Sequence, residues 1–149
     1  MEYMGKLIKV GIVGGSIGGL TAACLLRSLG HEVSIFERST KKLAQRGAGI
    51  GLLEAASRLL ITECNLTLDD LSTKTDLIRY LNKNNELVHE QLHTYRFSSW
   101  NTLYARLFDL FDSKQYFLDH ELIDWEKSGT EIVLKFKNGR EVLVDFLIC

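Results

Sequence analysis

Hydrophobic positions follow three rhythms along this chain. The first is a short, nearly continuous apolar run, Val10 to Val13, of the kind that fills a parallel strand buried on both faces. Gly14, Gly15, Gly18 and Gly19 follow it, and a helical pattern then extends from about Gly18 to Leu29. Gly30 stands where a left-handed cap ends such a helix. Val33, Ile35 and Phe36 supply a second strand, closed by Glu37. A polar loop, Arg38 to Lys42, leads to a second glycine segment, Arg46-Gly47-Ala48-Gly49-Ile50-Gly51. The spacing of Leu53, Ala56, Leu59 and Leu60 predicts a second helix over 53–62.

The remainder mostly alternates. Asp76 to Leu81 and Glu86 to Gln91 read as strands joined by the turn Asn82-Lys83-Asn84-Asn85, with a loop following through His93. Ser98 and Ser99 are candidate N-caps for a helix over 100–111, with Leu103, Leu107, Leu110 and Phe111 on one face. Tyr116 to Leu118 fits a buried strand. Leu122 to Glu126, Glu131 to Lys137 and Arg140 to Val144 predict an antiparallel meander, with Asn138-Gly139 as a hairpin turn and Trp125 and Phe136 as its packing residues. Phe146 to Cys149 opens another buried strand at the end of the chain. A parallel strand normally delivers the chain to a ligand-binding loop, so this ending predicts the front part of a longer fold.

Strand, glycine turn, helix, strand and acid form a set with a chemical logic. The first N–H groups of a helix lack internal partners and lie at its positive end, which suits a pyrophosphate. Glycines let the phosphates come close, and a carboxylate about 20 residues further on can accept from both hydroxyls of a ribose. Gly14-x-Ser16-x-x-Gly19 departs from the usual glycine fingerprint at its middle position. The Ser16 hydroxyl is read as a donor to the phosphate.

Composition narrows the field. A chain of 149 residues suits one domain, and 18 basic against 19 acidic residues give no electrostatic case for nucleic acid. The run Val10 to Leu26 loosely mimics a signal peptide, but its glycines and the lack of a small-residue cleavage site argue against one. Neither a membrane span nor a targeting segment is expected. Cys24, Cys64 and Cys149 are an odd, widely spaced set, which fits reduced thiols in a cytoplasm. Cys24 reads as a small core residue.

His89 and His93 lack a third ligand for a metal, and no metal site is expected. Asp69-Asp70 and Asp109 to Asp112 read as caps or solvated helix faces, and no catalytic residue is assigned. Arg46, directly before the second glycine segment, is the strongest functional candidate among the charged residues.

With these parts in this order, the sequence resembles the FAD-dependent aromatic hydroxylases, the family of p-hydroxybenzoate hydroxylase. Three stretches carry the likeness: Gly14 to Ala23 with Glu37-Arg38, Arg46 to Ile50, and Phe97 to Tyr104. The tail from Val133 to Cys149, with its Asn138-Gly139-Arg140 turn, is similar to the family's meander and the strand after it. Ser16 and the Phe97 to Tyr104 stretch look most like the branch containing 2,6-dihydroxypyridine 3-monooxygenase.

The resemblance implies an α/β fold, a Rossmann-like FAD-binding βαβ unit with an inserted antiparallel β-meander, ending before the substrate domain. Residues 1–149 would then be the N-terminal portion of an FAD-binding domain. It further implies that Gly14, Gly15, Ser16, Ile17 and Gly19 line the FAD pyrophosphate and that Glu37 holds the ribose. Arg38 would lie near the adenine, and Arg46, Gly47 and Gly49 near the flavin side. An arginine that contacts FAD in many relatives aligns with Trp100, and Arg106 is a substitute two turns on. In such enzymes NAD(P)H is the transient reductant, O2 supplies the inserted oxygen, and the substrate is a small aromatic molecule. The substrate domain lies beyond Cys149, so the 149-residue chain alone is expected to be inactive. Two other classes compete with this reading. One is a non-enzymatic dinucleotide-binding module or remnant. The other is an NAD-dependent dehydrogenase domain, which the second glycine segment and the meander speak against.

Overall fold

A computed structural model describes residues 6–43, 47–62 and 65–149. The expectations that fell on Arg46 and Cys64 lie outside these residues. The centre is a four-stranded parallel sheet in the order β10-β1-β2-β6, built from β1 (Lys9–Val13), β2 (Glu32–Phe36), β6 (Tyr116–Phe117) and β10 (Phe146–Ile148). Helix α1 (Ile17–Ser28) joins β1 to β2, and Gly30 follows it with φ +91°, as the cap pattern requires.

The two faces of this sheet bury different partners. Val10, Ile12, Val33 and Ile35 pack with Leu20 and Ala23 of α1 and with Leu103, Leu107 and Phe111 of or next to α4 (Trp100–Leu110). On the other face Phe36 meets Leu134, Phe136 and Val144 of the meander β7 (Leu122–Ser128), β8 (Glu131–Phe136) and β9 (Glu141–Val144). Each of those four side chains is at most 3% exposed, and burying one contributes about 1.5–3 kcal/mol, so the meander is an integral layer of the core. Gly11 makes the approach possible. A Cβ there would stand 3.0 Å from Leu134 and 3.1 Å from Val144.

A second, antiparallel sheet holds β3 (Gly49–Gly51), β5 (Leu87–Ser99) and β4 (Thr73–Leu81), in the order β3-β5-β4. Between β3 and β4 come α2 (Glu54–Thr62) and a single-turn helix, α3 (Leu68–Leu71), capped reciprocally by Thr67 and Asp70. Asp70 is thus a cap, as read, while Asp69 pairs with Arg96 at 2.9 Å.

Four expectations are corrected. The strand read as ending at Gln91 continues to Ser99, so no loop separates it from α4. Register shifts between Thr75 and Leu77 and between Tyr80 and Leu81 break the two-residue period that would have revealed it. Leu110 is 44% exposed, because the helix ends there and Phe111 turns inward in extended conformation, while Tyr104 supplies bulk to the buried face. Trp125 is 54% exposed, since it lies on the edge strand of the meander beyond the half-buried Leu122. The last strand, read as buried, is only partly so, with Phe146 53% exposed, because β10 lies at the edge of the parallel sheet.

Ser99, by contrast, is the expected N-cap, its hydroxyl accepting from Thr102 N–H at 3.0 Å. Phe136 is buried and Cys24 packs against the core as read. Gly139 turns the β8–β9 hairpin with φ +81°. Among the described residues no helix is long and apolar enough to cross a membrane, and no cluster of three potential metal ligands occurs.

Candidate functional site

The carboxyl ends of β1 and β2 meet the N-terminus of α1, and the glycine turn lies between them. Gly14 adopts φ +104°, which L side chains rarely allow, and its N–H donates to the Phe36 carbonyl at 2.8 Å. Gly15 and Gly19 are glycines for another reason. A Cβ on Gly19 would lie 1.9 Å from the Gly14 carbonyl oxygen, and one on Gly15 would lie 2.0 Å from the Tyr116 hydroxyl. Around Gly14 and Gly18 a Cβ would meet nothing within 4 Å, so one side of the turn is open.

That open side has the chemistry of an anion cradle. Ser16 occupies the N-cap of α1 in extended conformation, yet its side chain makes no capping hydrogen bond. The hydroxyl is therefore not committed to the helix it precedes. No acidic residue lies in the first turn of α1, so no side chain of the helix itself neutralises the positive end of its dipole. Ile17 faces inward and packs against the core, which fixes that first turn.

Glu37 is only 5% exposed, and its two carboxylate oxygens are held apart by two backbone donors. Gly15 N–H donates to Oε2 at 2.9 Å and Ser39 N–H to Oε1 at 2.9 Å. Burial pushes its pKa up, but the bonds from Gly15 and Ser39 and the neighbouring Arg38 charge outweigh that and hold it below the ordinary value. A carboxylate has about four lone-pair positions, and the Gly15 N–H, the Ser39 N–H and the Ser39 hydroxyl take three, so about one remains for a hydroxyl donor. The main chain of Glu37 is anchored as well, donating to Phe117 O at 2.8 Å and accepting from His120 N–H at 2.9 Å. Arg38 is exposed beside it.

The second glycine segment joins this region through α4. In β3, Gly49 is paired with Ser99 and Gly51 with Phe97, and the Trp100 N–H donates to the Ala48 carbonyl at 2.9 Å. A Cβ on Gly47 or Gly49 would meet nothing within 4 Å. Trp100 stacks on Tyr104 with centroids 4.8 Å apart, Tyr104 lies 5.8 Å from Phe108, and Phe108 meets Tyr116 edge-on at 5.1 Å. This aromatic stripe runs from the second glycine segment to the first glycine turn. Lys42 sits over Phe108, its Nζ 4.1 Å from the ring centre.

Arg106 is two residues beyond Tyr104, about 200° around the helix from the stripe, and is exposed near Asp70. Gly14, Gly15, Ser16, Ile17, Gly19 and Glu37 are thus gathered at one sheet edge, while Arg106 stands apart from it. Tyr116, Tyr104 and Lys42 were missed by the sequence reading. Tyr116 is 101 residues from the Gly15 carbonyl it binds, and nothing local in its short apolar stretch signals that partner.

Comparisons with known proteins bear on this geometry. Residues 12–42 match the NAD(P)-binding Rossmann-like domain family. The chain is 29% identical over 141 residues to 2,6-dihydroxypyridine 3-monooxygenase of Paenarthrobacter nicotinovorans, a match covering 94% of the chain and 35% of that relative. It superimposes on the structure of 2,6-dihydroxypyridine-3-hydroxylase from Arthrobacter nicotinovorans with a TM-score of 0.86 and 28% identity, over 95% of the chain and 36% of that protein. It is also 50% identical over 52 residues to the FAD-dependent monooxygenase janM of Penicillium janthinellum, covering 35% of the chain and 11% of that relative. The chain thus spans about a third of the length of its full-coverage relatives. By these likenesses it is homologous to part of 2,6-dihydroxypyridine 3-monooxygenase and, over a shorter stretch, similar to FAD-dependent monooxygenases.

Proposed function

We propose that this chain binds FAD and forms the cofactor-binding front portion of a monooxygenase that uses NAD(P)H and O2 to hydroxylate a small aromatic or heteroaromatic substrate. The observation that carries this reading is the shared sheet edge. An open glycine turn, a helix N-terminus without acidic residues and an anchored Glu37 face one region, and the stripe from Trp100 to Tyr116 extends it to a second open glycine segment. One such segment would suffice for a mononucleotide. Two, connected by a helix, suit an elongated dinucleotide.

In this reading the N–H groups of Ser16 to Gly19 and the Ser16 hydroxyl hold the pyrophosphate, with Gly14 shaping the turn. Glu37 accepts from the adenosine ribose and Arg38 lies beside the adenine. Arg46, Gly47 and Gly49 serve the flavin side. When bound, FAD supplies the redox chemistry that passes electrons from NAD(P)H to oxygen, and the protein contributes orientation and a site shielded from water. The substrate class and reaction are those named for its longer relatives. With about a third of their length, this chain alone is expected to bind the cofactor without detectable hydroxylation.

Titration of the purified chain with FAD and with NAD, followed by thermal shift and flavin fluorescence, tests the reading directly. Stabilisation by FAD in preference to NAD is the expected result. Stabilisation by NAD alone would overturn it in favour of a dehydrogenase-type domain. Arg106→Ala is expected to change FAD affinity by less than about twofold, because an exposed charge on the far side of α4 is screened from the site. A loss of about tenfold would place Arg106 in contact with the cofactor.

A further inference from the structure

We propose that Tyr116 is a positioning residue for dinucleotide binding: by holding the Gly15 carbonyl it aims the next backbone N–H, that of Ser16, at the phosphate region. The proposal deepens the FAD-binding reading and rests on it. The peptide flanks of Gly15 are held from two sides. Its N–H donates to Glu37 Oε2 at 2.9 Å, and its carbonyl accepts from the Tyr116 hydroxyl at 2.8 Å. In a trans peptide the C=O and the following N–H point in opposite directions. A Gly15 carbonyl drawn inward to Tyr116 therefore turns the Ser16 N–H outward, to the same open side where Gly14 and Gly18 have no neighbours.

The hydroxyl is itself held by a chain of donors. Tyr116 has one proton and gives it to Gly15, so at the 3.4 Å contact between the two phenols Tyr104 is the donor. Tyr104 in turn accepts from Leu43 N–H at 3.3 Å. The run from Leu43 through Tyr104 and Tyr116 to Gly15 polarises in one direction, which strengthens its last bond. Burial raises the Tyr116 pKa far above that of an ordinary tyrosine, so it stays a donor at any working pH. The backbone of Tyr116 is placed by parallel pairing with Ile35 of β2, one residue from the site acid's own strand end. Gly15 has no side chain because the Tyr116 ring fills that place, so ring and glycine are a matched pair.

Phenylalanine at position 116 keeps the ring and removes only the proton. We expect Tyr116→Phe to weaken FAD and ADP by the same factor, about fivefold to tenfold, and to leave adenosine affinity unchanged, because only the first two carry the diphosphate. Thermal stability without ligand is expected to fall by less than about 4 °C. Tyr104→Phe, which leaves Tyr116 in place but removes the proton given to it, is expected to show the same ligand pattern with a loss of about twofold. Unchanged FAD and ADP affinities in Tyr116→Phe would overturn the proposal. So would an equal loss for adenosine, which would make the tyrosine a purely structural residue. A wild-type chain that binds neither FAD nor ADP would instead overturn the FAD-binding reading itself.

Discussion

Gly19→Ala is expected to destabilise the fold by about 3 kcal/mol, to lower the melting temperature by about 10 °C, and to abolish measurable FAD binding. The added methyl would stand 1.9 Å from the Gly14 carbonyl oxygen and 3.1 Å from its carbon. Both are backbone atoms, so no side chain can swing away, and α1 must back off from the turn. Gly14 cannot follow easily, because its N–H is bonded to Phe36 O and its φ of +104° leaves few alternatives. The displaced helix would carry its N-terminal amides away from the phosphate position. Gly18→Ala is the control one residue earlier. Its Cβ meets nothing within 4 Å, and alanine is the better helix former, so a gain of about 0.5 kcal/mol is expected. Thermal and denaturant unfolding of the two variants separates close packing from glycine content. Equal stability in both would show that α1 does not depend on contact with the turn.

Replacement of Glu37 is expected to have the second largest effect, and by two routes. Glutamine in its place presents one acceptor oxygen and one amide donor to two backbone donors, Gly15 N–H and Ser39 N–H. One of the two N–H groups then faces another donor in a site only 5% exposed, at a cost of about 1–3 kcal/mol. FAD affinity is expected to fall by about tenfold to a hundredfold, from loss of a charge-assisted bond to the ribose together with a loosened turn. Adenosine titration separates the two routes, since it reads the ribose contact without the diphosphate.

The pH dependence carries a sign. The folded-state pKa of Glu37 is lowered from its ordinary value of 4.5, so the stability it contributes is fully present above pH 4.5 and is lost as pH falls through the lowered folded value. In Glu37→Gln that part of the acid destabilisation should disappear. Acid unfolding curves of identical shape for wild type and variant would remove the carboxylate from this role.

Much of the scaffold was legible from local pattern. The run Val10 to Val13, the cap at Gly30 and the turn at Asn138-Gly139 each depend on near neighbours, and each is found as read. Where the period was broken by register shifts, as between Thr75 and Leu77, the reading stopped at Gln91 although the strand runs on to Ser99. Which residues of the meander turn inward was equally a matter of layers. Phe136 faces the sheet, but Trp125 sits on an edge strand where nothing covers it.

The candidate site divides the same way. Sequence by itself determined the fingerprint: glycines at a strand-to-helix turn, an acid at the end of the next strand, and a second glycine segment, because those roles follow from spacing along one βαβ unit. Only the tertiary structure decided why particular glycines are needed. Gly19 answers to the Gly14 backbone, Gly11 to the meander, and Gly15 to a tyrosine 101 residues away. The last two contacts join elements far apart in the chain, and no local periodicity encodes them. The same holds for Glu37, which spacing marks as a ribose acceptor and packing reveals as the clamp on the turn it serves.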